Sequence, residues 1–195
     1  MGKIVALVLV IALVMAGIGG CNGYNRLVAL DESVSTAWAQ VENVYQRRAD
    51  LVPNLVETVK GAADFERGTL TAVIEARAKA TQITVDESVL QNPALFQQYQ
   101  QVQGELSGAL ARLLVTIERY PELKANQNFL ALQSQLEGSE NRIAVERRKF
   151  NEVARTYNTQ VRRFPTNLIA GVTGFDARPY FDADPDAEKA PKVEF

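Results

Sequence analysis

The 195-residue chain contains no histidine. That absence removes the commonest metal ligand and the side chain that exchanges protons most readily near neutral pH. A single cysteine, Cys21, excludes an intramolecular disulfide, a CxxC redox pair and a multi-thiolate metal site. Charge of one sign is also lacking, since 21 basic against 23 acidic residues give a formal net charge of −2. No long basic block or aromatic-rich basic patch offers a phosphate-binding surface, which sets nucleic acid aside as a partner. With these groups missing, no catalytic set, metal or cofactor is expected, and the chain reads as a non-enzyme. Proline is sparse, with 7 in the chain and none over 129–163.

What is present is a heptad pattern. Phe129, Leu136, Ile143, Phe150, Tyr157 and Phe164 stand seven residues apart, a spacing that keeps one seam on one face of a long helix. A first helix is read over 24–60, where Leu27, Val34, Val41, Arg48, Leu55 and Ala62 share one register that continues across Pro53, favouring a kink over a stop. Gly61 and Asp64 mark a turn, and a second helix is read over 65–82. The β-branched stretch Ile83-Thr84-Val85-Asp86 then reads as irregular, and Asn92-Pro93 as an N-cap with proline at the first helical position. The third helix carries Leu95, Tyr99, Val102, Leu106, Leu110, Leu113, Ile117 and Tyr120 until Pro121 stops it. Four amphipathic helices with short links predict an all-α, elongated, antiparallel up-and-down four-helix bundle over 22–164. In the tail, 165–195, Gly171, Gly174, Pro179, Pro185 and Pro191 break any long helix. Residues 165–181 are expected to lie along the bundle, because Phe175, Tyr180 and Phe181 need cover, and the acidic end is expected to be loose.

Residues 1–21 read as a secretion or anchoring segment, with Lys3 followed by an uncharged run over 4–21. Eighteen residues lie at the lower edge of a membrane span, so length does not separate a cleaved signal from a retained anchor. Ile18-Gly19-Gly20-Cys21 resembles the lipobox of bacterial lipoproteins, which makes Cys21 the candidate lipidation site; a plain buried thiol is the alternative. Either route leaves Lys3 on the cytoplasmic side and places the body outside, at the cell membrane or envelope.

Three polar residues interrupt the seams. Arg48 occupies a core heptad position, and Glu140 and Arg147 fall where Leu132, Val153 and Ala154 would continue the companion line of the last helix. With the first and last helices antiparallel, Arg48 faces Glu140 or Arg147, with Arg47, Asp50, Asn54 and Glu137 nearby. Buried charges persist only when paired and hydrogen-bonded, so a cross-helix network is expected. It either fixes helix register or forms a cleft for an anionic or peptide ligand; no nucleophile or oxyanion site stands beside it to suggest catalysis. The terminal Val193-Glu194-Phe195 has the loose pattern that PDZ domains capture, a mobile end being the alternative.

Several ordered motifs resemble the LemA family of bacterial envelope proteins. They are Tyr24-Asn25-Arg26-Leu27-Val28, Arg47-Arg48-Ala49-Asp50-Leu51-Val52-Pro53-Asn54-Leu55-Val56, Tyr120-Pro121-Glu122-Leu123-Lys124-Ala125-Asn126 with Phe129, and Leu136-Glu137-Gly138-Ser139-Glu140-Asn141-Arg142-Ile143. Phe150-Asn151-Glu152, Tyr157-Asn158, Phe164-Pro165, Gly174-Phe175 and Tyr180-Phe181 continue the match. The resemblance implies an N-terminal membrane segment, a bromodomain-like four-helix bundle and a function not established for the family. The chain departs in carrying Phe65-Glu66 where many relatives carry His-Glu. The expectation is a membrane-tethered scaffold or adaptor for other envelope proteins, including copies of itself as a homo-oligomer. A ligand-binding or sensing module built on the Arg/Glu cluster is the alternative.

Overall fold

The computed structural model describes residues 2–61, 66–83 and 88–182, with the backbone alone at 5, 8, 11–14, 16 and 18. Every regular element among them is a helix: α1 Gly2–Lys60, α2 Arg67–Gln82, α3 Ser88–Gln91, α4 Pro93–Ile117, α5 Pro121–Lys124, α6 Gln127–Arg162 and α7 Thr166–Thr173. At 1.5 Å per residue, α1 and α6 extend roughly 88 and 54 Å.

α1 differs from the sequence reading at its start, because it runs unbroken from Gly2 and the 21/22 boundary falls inside it. Its glycines near 17–20 lower helix propensity by about 1 kcal/mol each but remove no backbone donor. Pro53 lies within the same helix for a specific reason. A helical proline cannot donate to the carbonyl four residues back, which here belongs to Ala49. Arg77 of α2 supplies the missing donor, its Nε reaching the Ala49 oxygen at 2.8 Å.

The start of α4 follows its sequence signal, and α6 is capped in the same way. Asn92 Oδ1 accepts from the amides of Ala94 and Leu95, and Asn126 Oδ1 from those of Asn128 and Phe129. The third long helix ends at Ile117 rather than Tyr120, and Pro121 opens the short α5. Part of the tail is helical, since Gly171 is carried inside α7 and Gly174 ends it with a left-handed φ of 79° that glycine adopts without a Cβ clash.

Among the described residues the pairs Trp38–Phe150 and Arg48–Glu140 set α1 and α6 running in opposite directions. α1 packs on α6, α2 on α4, and α2 on α1. The buried side chains form two clusters along the long axis. One holds Val52, Leu55, Val59, Val73, Leu106, Leu113 and Leu136; the other is aromatic, with Trp38, Tyr45, Phe96, Tyr99, Phe150, Tyr157 and Phe181. Arg48 lies between them. Among the described residues no helix is long and apolar enough to cross a membrane. The acidic end and Val193-Glu194-Phe195 lie outside the described residues.

Candidate functional site

Arg48 is the largest polar side chain in the interior, with 1% of its surface exposed. Its Nη1 donates to Ser107 Oγ at 2.5 Å and to Glu140 Oε1 at 2.8 Å. Its Nη2 donates to the backbone oxygen of Gln103 at 3.1 Å and to Gln103 Oε1 at 2.6 Å. Gln103 Nε2 in turn donates to the Ala80 carbonyl of α2 at 3.3 Å, so one layer of polar contacts joins α1, α2, α4 and α6. The guanidinium carbon also lies 5.1 Å from the Tyr45 ring centroid. The two charges are unequally placed: the Glu140 side chain is 44% exposed. Arg48 therefore depends on Glu140 far more than Glu140 depends on Arg48.

Of the other residues singled out by sequence, Arg147 does not join this layer. Its Nη2 donates to the Asp182 carbonyl at 2.8 Å and its guanidinium covers the Phe181 ring at 4.9 Å. Arg47, Asp50, Asn54 and Glu137 are exposed. The inward stripe of α1 is Val41, Tyr45, Arg48, Val52 and Leu55, and positions 47, 50 and 54 fall off it at 100° per residue. Asp50 accepts from Gln46, and Glu137 from Gln133, each within its own helix.

A second construction shows how the segment expected to lie along the helices is held, which the sequence reading did not specify. Residues 175–182 have no helix or strand and run up the seam between α1 and α6 as a strap. Its anchors are three apart, while their partners on the helices are seven apart. Phe175 meets Tyr24 edge-on at 5.8 Å, Arg178 pairs with Asp31 at 2.8 Å, and Phe181 stacks on Trp38 at 6.0 Å. Two helical turns rise about 10.5 Å and three extended residues about 10 Å, so the two repeats stay in step. On the α6 side two asparagines take the place of a paired strand. Asn158 accepts from the Arg178 amide and donates to the Arg178 carbonyl, both at 2.8 Å; Asn151 does the same to Phe181 at 2.9 Å. These bonds satisfy backbone groups that would otherwise be buried without partners. The legible signal was Asn151 and Asn158 following Phe150 and Tyr157 at the same heptad spacing.

Beside Gln103 a cleft of about 190 Å³ is lined by Glu42, Tyr45, Ala80, Thr81 and Tyr99. Burial raises the Glu42 carboxyl above its ordinary value, and likewise the phenols of Tyr45 and Tyr99. Among the described residues no cluster of acidic or cysteine side chains has the grouping to hold a metal ion.

The described residues thus form an all-helical body with a buried cross-helix arginine layer and a tail segment lying along α1 and α6. The chain belongs to the LemA family, whose pattern matches residues 37–195. It is 27% identical to magnetosome proteins MamQ 1 and MamQ 2 of Paramagnetospirillum magneticum strain AMB-1, across 83% of this chain and 65% of those proteins. It is 25% identical to protein LemA of Metamycoplasma hominis, across 75% of this chain and 63% of that protein. The chain thus spans just under two thirds of the length of the curated relatives it matches.

Proposed function

We propose that this protein is a non-enzymatic, membrane-tethered scaffold of the bacterial envelope. One observation carries the reading: Arg48, the most prominent interior polar group, spends four hydrogen bonds on Gln103, Ser107 and Glu140 and none on a cavity. Such a layer fixes helix register, a well-attested use of buried polar groups in bundles. The rival, a ligand-binding module built on the Arg48–Glu140 layer, would use the cleft beside Gln103. At about 190 Å³ the cleft falls short of the roughly 300–1,000 Å³ of small-molecule sites. The tether is the uncharged run over 4–21, held as a helix or replaced by lipid on Cys21, with the body outside the cytoplasm.

In this reading the partners are other envelope proteins or further copies of the chain. Crosslinking in intact membranes followed by capture tests it, with wild type and Arg48→Met in parallel. Both are expected to yield the same reproducible set of envelope proteins. A folded Arg48→Met protein that loses its partners would transfer the role from register to binding. Mass spectrometry of the mature N-terminus tests the lipid form, and an intact Met1 or an unmodified Cys21 thiol would exclude it.

A further inference from the structure

α7 leaves apolar side chains in the open at one place on the molecule. Phe164 is 75% exposed, Leu168 61% and Val172 88%. Leu168 and Val172 are four apart, hence on one helical face, while Ala170 is buried and Ile169 turns toward α1. There Gly23 admits it: a Cβ at that position would stand 2.6 Å from Ile169 Cδ1. α7 is thus seated on α1 by one face and unpartnered on the other.

Between the two helices runs a groove of about 600 Å³, lined by Gly20, Cys21, Tyr24, Leu168, Ile169 and Val172. Its place along α1 decides what can fill it. It opens where the uncharged run over 4–21 ends, and it continues the apolar surface that Ile4, Leu7, Leu9, Val10 and Met15 present on the same helix. The flanking segments are predominantly basic: Arg26, Arg162 and Arg163 are exposed, and no acidic residue occurs over 2–30 or 160–175, the nearest in sequence being Asp31 and Asp176. Tyr24 stands at the rim, where aromatic side chains favour the boundary between headgroups and hydrocarbon.

We infer that α7 is an interfacial helix: it rests in the near leaflet of the membrane, acyl chains fill the groove against α1, and Arg26, Arg162 and Arg163 meet anionic headgroups. Apolar continuity with the anchoring run and the basic flanking segments favour lipid over a second copy of the chain. The inference rests on the membrane-tether reading and adds a second contact that holds the rod at a fixed angle to the surface.

The test uses the full chain, Cys21 retained, in vesicles of phosphatidylethanolamine and phosphatidylglycerol containing nitroxide-labelled lipids. An environment-sensitive fluorescent amino acid replaces Val172 in one protein, Leu168 in a second, Leu9 in a third and Val115 in a fourth. Val115 is exposed on α4, toward the opposite end of the bundle. Positions 9, 168 and 172 are expected to lose fluorescence to the nitroxide while 115 does not, with 168 and 172 lying roughly 5–10 Å into the interface. Quenching at 9 without quenching at 168 and 172 overturns the interfacial helix and leaves the tether standing. A crosslink between copies through position 172 in such vesicles would assign the groove to a second chain instead. Absence of quenching at every position overturns both readings.

Discussion

The unequal burial of Arg48 and Glu140 predicts an unequal pair of mutants. Replacing Glu140 with Ala leaves a guanidinium that is 1% exposed facing only Gln103 and Ser107. Removing one partner of a buried ion pair costs about 3–5 kcal/mol. The partial exposure of Glu140 and the three surviving acceptor atoms reduce this to about 2–3 kcal/mol. Replacing Arg48 with Met instead leaves the carboxylate able to turn toward water. The loss is then an unpartnered Gln103 acceptor and a Ser107 hydroxyl, about 1–2 kcal/mol. In the Arg48→Met background Glu140→Ala is expected to cost under about 1 kcal/mol, because the charge it served is gone. For a chain of this size 2–3 kcal/mol lowers the melting temperature by roughly 4–12 °C, readable by helical circular dichroism of the full chain in detergent. If Glu140→Ala destabilises no more than Arg48→Met, or equally in both backgrounds, the buried guanidinium is not the dependent partner and the reasoning fails.

Arg77→Met is expected to destabilise by about 1–2 kcal/mol, since it strips the Ala49 carbonyl of its donor. The same change in a Pro53→Ala protein should cost less, because a backbone amide then serves that carbonyl; equal losses in urea titrations would refute the link. Asn158→Ala removes both bonds to the Arg178 backbone and is expected to release the strap ahead of the bundle. Hydrogen exchange should then accelerate at 178–182 and stay unchanged in α2 and α4, and uniform acceleration would count against a separable strap. Alkaline pH supplies a further check. Burial holds the Tyr157 phenol up at about 12, above its ordinary 10, and raises Tyr45 and Tyr99 too. The stabilisation is complete below the unfolded value and is lost as pH rises through the folded one, so thermal stability should fall between about pH 10 and 12. A flat profile over that window would contradict the burial of these phenols.

The heptads made much of the fold legible. Regular spacing at Phe129, Leu136, Ile143, Phe150 and Tyr157 identifies α6, although Phe164 of the same series lies past its end and is exposed, and Asn92 placed the start of α4 within a residue or two. Arg48 stood out because a charge on an apolar seam needs a partner, and the antiparallel register that brings Glu140 opposite it follows from the same periodicity. Arg147 misled because a seam position says which way a residue faces, and the strap had already occupied that face. The anchor points of the strap were hidden for a physical reason. An extended segment held by side chains from helices has no period of its own; only the matching of three residues to seven betrays it. Arg77 was hidden likewise, since its partner is a backbone carbonyl freed by a proline on another helix.

The strap joins the two ends of the described chain, and this sets an order of events during synthesis. Trp38 emerges with the first helix, yet Phe181, which closes over it, follows 143 residues later. At roughly 5–20 residues per second the delay is about 7–30 s. Throughout that interval the nascent chain would present an unclosed aromatic slot around Trp38. A chaperone, or the tail of a neighbouring copy, would have that interval to engage the slot before Phe181 arrives.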